Sequence, residues 1–304
     1  MSKNNLINKT ILLSSAFVIL TGCGGGGGSD TTPTPGGGSS TTPPPAQTCT
    51  GSALGEGQVC LTTGSRESIL YKASDTPQGI ALFLHGSPGS ASKVMSIFDA
   101  KMIADNHNLV AVAPQGNVQT WGWLSRNETS QASNEDVDFI NELLTQVVSE
   151  HNVTSDKVYV FGYSAGGFMA YTLACHIPEQ LTGVIALAGQ YRGDFAACST
   201  STPTNIHHMH SLSDTDVPYD GRSFGAIQSV NATITHWLNK NGCDETFETV
   251  EQQGVTNNSS GTTTQHYDNC AASLSLSKMA NVPHEASYLP ERLYELYSHL
   301  LSND

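Results

Sequence analysis

The sequence predicts an α/β domain with a central, mostly parallel sheet flanked by helices. Three observations carry this expectation. Short runs that are apolar on both faces recur along the chain, as buried parallel strands require. They alternate with segments of helical periodicity, which is the pattern of strand–helix–strand units. Gly or Pro closes several of the runs and sets their length.

The first run is Gly79–Leu84, ending at His85-Gly86. The second is Leu109–Ala113, stopped by Pro114. Val158–Phe161 is stopped by Gly162, Val184–Ala188 follows, and Asn205–His210 is the fifth. Between them, Asn134–Glu150 places Val137, Ile140, Leu143, Leu144, Val147 and Val148 on one helical face, with Asn134 as the expected cap. Ala165–Ala174, Ala226–Leu238 and Glu291–Leu301 are the other expected helices. No internal repeat interrupts the pattern.

The chain has 304 residues, a net charge of −14 and 38% hydrophobic residues, enough for a sizeable core. The acidic balance argues against nucleic acid and against an anionic membrane surface as partners. Residues 1–22 read as an export signal. Lys3 and Lys9 precede the apolar run Ile11–Leu20, which is too short to span a bilayer. The run leads into Leu20-Thr21-Gly22-Cys23, a lipobox-like tetrapeptide that makes Cys23 the expected lipidation site. Residues 23–47 are dominated by Gly, Ser, Thr and Pro and read as a tether, and 48–304 as the folded domain. The expectation is an exported, lipid-anchored protein at the bacterial outer membrane or cell surface. Without the two leader lysines, 11 basic residues face 27 acidic ones, a net of −16.

Seven cysteines minus Cys23 leave Cys49, Cys60, Cys175, Cys198, Cys243 and Cys270. An even count in an oxidising compartment favours three bridges, and the count alone leaves fifteen connectivities open. No CxxC occurs, so a zinc ribbon is unsupported. His207, His208 and His210 alternate across a strand without completing a ligand set, so no metal is expected.

Gly162-Tyr163-Ser164-Ala165-Gly166 matches the G-x-S-x-G nucleophile elbow. Its placement between a strand and a helix-forming run is what the motif needs. A helix N-terminus beside the serine also favours developing negative charge. Ser164 needs a base, and the base needs an orienting acid. Asp214 follows the fifth run and is preferred over Asp216. His284 follows Leu274–Met279 and is preferred over His266. The oxyanion donors are expected from the backbone of Ala165 and of Ser87, because Pro88 has no N–H. His85 shapes this loop rather than acting as the base. Trp121 and Trp123 are candidates for an aromatic wall of the substrate site.

The stretches LHGSPGS (84–90), EDVDFI (135–140), KVYVFGYSAGGFMA (157–170) and HSLSDTDVPYDG (210–221) carry a family resemblance, as does Asn241-Gly242-Cys243 followed by Cys270 and His284. Together they resemble the secreted polyhydroxybutyrate depolymerase and feruloyl esterase-like branch of the α/β-hydrolase superfamily, over nearly all of 79–284. The resemblance implies an α/β-hydrolase fold and Ser164, Asp214 and His284 as a triad. It also implies bridges Cys175–Cys198 and Cys243–Cys270, leaving Cys49–Cys60 as a local clasp. Ser211 departs from the glycine usual before the acid. Glu285-Ala286 departs from the aromatic-rich segment that often follows the histidine. No appended substrate-binding segment is visible, which points to soluble esters or oligoesters rather than solid polymer.

The expected function is therefore that of a serine carboxylic ester hydrolase. It would act through an acyl-enzyme, without a cofactor and as a monomer, on polyhydroxyalkanoate-type oligoesters or feruloyl or acetyl esters. The alternatives are a serine peptidase of the same fold and a non-catalytic binding protein on a decayed hydrolase scaffold.

Overall fold

A computed structural model describes residues 47–121 and 131–302, with backbone alone for 131–134. The expected signal, Cys23, nearly all of the tether and Trp123 lie outside the described residues. In chain order the strands are β1 (Thr48–Cys49), β2 (Ser52–Ala53), β3 (Gln58–Thr63), β4 (Arg66–Lys72), β5 (Ile80–Leu84), β6 (Val110–Pro114), β7 (Val158–Tyr163), β8 (Gly183–Leu187), β9 (Ile206–Ser211), β10 (Phe247–Gln252), β11 (Thr262–Tyr267) and β12 (Leu274–Met279). The helices are α1 (Ala91–Phe98), α2 (Ala100–His107), α3 (Gln131–Glu150), α4 (Ala165–His176), α5 (Val230–Asn241) and α6 (Pro290–Leu301).

Strands β3 to β12 form one ten-stranded sheet in the order β10-β11-β12-β9-β8-β7-β5-β6-β4-β3. The six strands from β12 to β6 run parallel. Antiparallel pairs close both edges, β4 with β3 on one side and β11 with β10 on the other. The five apolar runs read from the sequence are β5 to β9, each shifted by a residue or two at its ends. Their side chains alternate between two cores. Leu82, Val112, Val160 and Ala186 face α3, α4 and α5. Phe83, Ala113, Phe161 and Leu187 face α1, α2 and α6.

The helices differ from expectation at their starts. Helix α3 begins at Gln131, so Asn134 lies inside it rather than capping it. The fifth helix begins at Val230, not Ala226, because Ser229 caps it by accepting from the Ala232 N–H. Residues 222–227 before it pair with one another instead. Helices α1 and α2 share Asp99, which ends one helix in a left-handed turn and caps the next. The three disulfides join Cys49–Cys60, Cys175–Cys198 and Cys243–Cys270, with Cα separations of 5.4, 5.0 and 4.0 Å.

The sheet order places the site. The chain passes from β5 outward to β6, then crosses back to β7 on the other side of β5. The loops after β5 and β7 therefore diverge, leaving a crevice at their C-terminal ends.

Candidate active site

Ser164 sits at that crevice, directly after β7 and directly before α4. Its backbone is held at φ 55° and ψ −115°, a region that costs a side-chain-bearing residue strain. Surrounding bonds impose it. The Ser164 N–H donates to Leu187 O at 2.9 Å, and Ser164 O accepts from Gly167 and Phe168. Both motif glycines are steric necessities. A Cβ on Gly162 would collide with the Gly166 carbonyl, and one on Gly166 with the Leu84 carbonyl.

Ser164 Oγ lies 2.8 Å from His284 Nε2. His284 Nδ1 lies 2.6 Å from Asp214 Oδ2. A carboxylate only accepts, so Nδ1 carries the proton and Nε2 of the neutral ring accepts from the serine. All three side chains are buried, and Ser164 and His284 reach a cavity of about 560 Å³. Asp214 is fixed in turn, because its Oδ1 accepts from the Asp216 and Val217 N–H groups at 3.0 and 2.8 Å. Asp216 itself is exposed on the cavity wall. His266 lies on β11, away from Ser164, and bonds Ser275 Oγ at 2.8 Å.

The loop after β5 forms the facing wall. Ser87 and Ala165 both line the cavity. His85 is buried, which pushes its pKa down. Its Nδ1–H donates to Gly86 O, and its Nε2 accepts from the Gly116 N–H. It thus braces the loop that carries Ser87. Trp121 does not form an aromatic wall. It is 1% exposed, its indole N–H donates to His85 O at 2.8 Å, and it packs beneath the loop. The apolar part of the wall is Phe168, Val217, Phe224 and Ile227 instead.

Several neighbours of the site have roles that no motif specifies. The Tyr163 hydroxyl donates to His284 O at 2.8 Å, and its ring stacks on the His284 ring with centroids 5.6 Å apart. Glu285 accepts from Lys93 Nζ at 2.7 Å, which holds its carboxyl below the usual range. Ser211 has a use where the resembled family has glycine, since its Oγ accepts from the N–H groups of Ser213 and Val282. It ties the turn bearing Asp214 to the segment leading to His284. Behind Asp214 runs a buried chain from α4 to β9. The Tyr171 hydroxyl donates to His208 Nδ1 at 3.0 Å, His208 Nε2–H to His210 Nδ1 at 3.2 Å, and His210 Nε2–H to Val217 O at 2.9 Å. His207 points to the other face and bonds Ser277 Oγ. Among the described residues, the ligand-type side chains that converge are Cys49, Cys60 and Glu67, and the two cysteines are bonded to each other.

A parallel sheet with a serine elbow at its switch point and a histidine and carboxylate from later loops defines an α/β-hydrolase. The phospholipase/carboxylesterase family profile matches residues 67–224, and the chain belongs to that family. NocK of Nocardia uniformis subsp. tsuyamanensis, named as an esterase, is 30% identical over 152 residues, 48% of this chain and 44% of that protein. The bifunctional acetylxylan esterase/xylanase XynS20E of Neocallimastix patriciarum is 26% identical over 144 residues, 46% of this chain and 20% of that protein. The matches thus span less than half the length of these relatives. The solved acetyl xylan esterase from Aspergillus awamori shares the fold at a TM-score of 0.57 and 14% identity, over 79% of this chain and 98% of that one.

Proposed function

We propose that the protein is a serine carboxylic ester hydrolase with Ser164 as nucleophile, His284 as base and Asp214 as orienting acid. The observation that carries this is the continuous Ser164–His284–Asp214 hydrogen-bonded line, whose first two members line the cavity. His284 would take the Ser164 proton as Oγ attacks the ester carbonyl. The backbone N–H groups of Ala165 and Ser87 would stabilise the oxyanion, helped by the N-terminus of α4. Collapse would release the alcohol, protonated by His284, and leave an acyl-serine. Water activated by His284 would then release the acid. Asp214 would stabilise the imidazolium that forms at each step.

The named activities of the relatives support acetyl, feruloyl or related oligoesters as substrates. Export with a lipid on Cys23 and a tether over 23–47 belongs to the same proposal. No described helix is long and apolar enough to cross a membrane. The test is turnover of short 4-nitrophenyl esters by the purified protein. Wild type should turn them over and Ser164→Ala should not. Full activity in Ser164→Ala would overturn the assignment. Labelled palmitate appearing in wild type but not in Cys23→Ala checks the anchor.

A further inference from the structure

We propose that the cavity selects esters bearing a free carboxylate, and that Arg222, supported by Arg192, recognises it. The proposal rests on the esterase reading of Ser164 and specifies its substrate class. Both arginines line the same cavity as Ser164 and His284. They come from one small piece of structure. Arg222 and Ile227 exchange backbone hydrogen bonds of 2.8 and 3.0 Å, and Arg192 bridges Ile227 from the other side. Ile227 therefore lies between them, and adjacent extended segments place the two arginine backbones about 10 Å apart on one wall.

Elsewhere in the described chain arginine is committed to a carboxylate: Arg66 to Asp136 and Arg292 to Glu295. Arg222 forms no ion pair among the described residues. It is exposed, and its Nε–H donates to Phe224 O at 3.2 Å. That single bond braces the turn and leaves the rest of a five-donor fork for a ligand. Arg192 donates from Nε to Gly225 O, and its guanidinium lies 5.8 Å from the Phe168 ring centroid. It thus holds the same turn from inside and adds positive charge behind Arg222.

The two acids of the cavity do not cancel this. Glu285 is matched by Lys93, whose Nζ lies 2.7 Å from its carboxylate. Asp216 remains, and it forms no ion pair with Arg222 among the described residues. A planar carboxylate is the group that a guanidinium fork binds through two parallel bonds. Oligoesters of hydroxy acids end in such a carboxylate, and each hydrolysis of one generates another.

Two substrate pairs test this and locate the carboxylate. Mono(4-nitrophenyl) glutarate against methyl 4-nitrophenyl glutarate carries it on the acyl side. The linear dimer of 3-hydroxybutyrate against its methyl ester, scored by cleavage of the internal bond, carries it on the alcohol side. Wild type should favour the free acid by up to about fivefold in kcat/KM in at least one pair, through KM, as one exposed ion pair of about 1 kcal/mol would give. Arg222→Gln should bring that ratio near one, and Arg222→Lys should retain part of it. A wild-type ratio at or below one in both pairs overturns the proposal. So does an Arg222→Gln enzyme that loses equal activity on both members of each pair, since that is the mark of a turn brace. Turnover of 4-nitrophenyl butyrate that depends on Ser164 keeps the esterase reading standing whichever way the ratios fall. Absence of all turnover, with no fluorophosphonate label on Ser164, removes both.

Discussion

At the residue scale, the site is a set of side chains whose freedom has been removed by neighbours. Ser164 is strained in its backbone and His284 is fixed at three points: by Asp214, by the Tyr163 ring and by the Tyr163 hydroxyl on its carbonyl. Ser164→Ala is expected to lower kcat by about 10⁴-fold or more, measured on short esters. Tyr163→Phe keeps the ring stack and deletes one bond that positions the His284 backbone. It should lower kcat by about tenfold with little change in KM, as expected when only transition-state alignment suffers. A motif and a chain order single out Ser164, Asp214 and His284 in the sequence, and the fold brings these three side chains within hydrogen-bond distance. The sequence could not mark Tyr163, Lys93, Arg192 or Arg222 in that way. No spacing rule links Lys93 to Glu285, 192 positions later. Only the folded sheet brings those loops to one edge.

At the element scale, legibility tracks hydrophobic contrast. Strands β5 to β9 were readable because they are buried on both faces. Strands β10 and β11, FETVEQ and TTTQHY, were not, because they are polar, partly exposed strands at the sheet margin. Helices α1 and α2 are eight residues each, too short to show a period, and the break between them rests on one left-handed aspartate. The elbow itself is a contact between elements. Gly166→Ala would drive a methyl group into the Leu84 carbonyl at the end of β5, so α4 and β5 would have to part. A loss of about 3 kcal/mol or more in unfolding free energy is expected by denaturant titration. Tyr171→Phe should cost about 1–3 kcal/mol, because it leaves His208 Nδ1 buried and unbonded between α4 and β9.

At the scale of the whole molecule, the buried histidines make stability depend on pH. Burial pushes His210 down to about 4, against the opposing pull of the Val217 carbonyl and Asp214, and burial also holds His208 well below its ordinary value. The unfolded chain would protonate these rings near pH 6.5. Between there and about pH 4 the unfolded state therefore binds more protons. Stability should be level above pH 7 and fall as pH drops through that window, by on the order of 3 kcal/mol for His210 alone. Thermal melts from pH 7.5 to 4.5 check the sign. Reduction should also lower the melting temperature, because each bridge restricts the unfolded chain by about 2–4 kcal/mol.

The first of those bridges bears on load as well as on stability. Cys49 is buried at the very start of the described chain and is bonded to Cys60 on β3, the outermost strand on its side. Any tension arriving along the preceding residues would pass through sulfur straight into β3, and the intervening loop would stay slack. Pulled from its N-terminal end, the domain should yield a contour length about 4 nm shorter while this bond is intact than after it alone is removed.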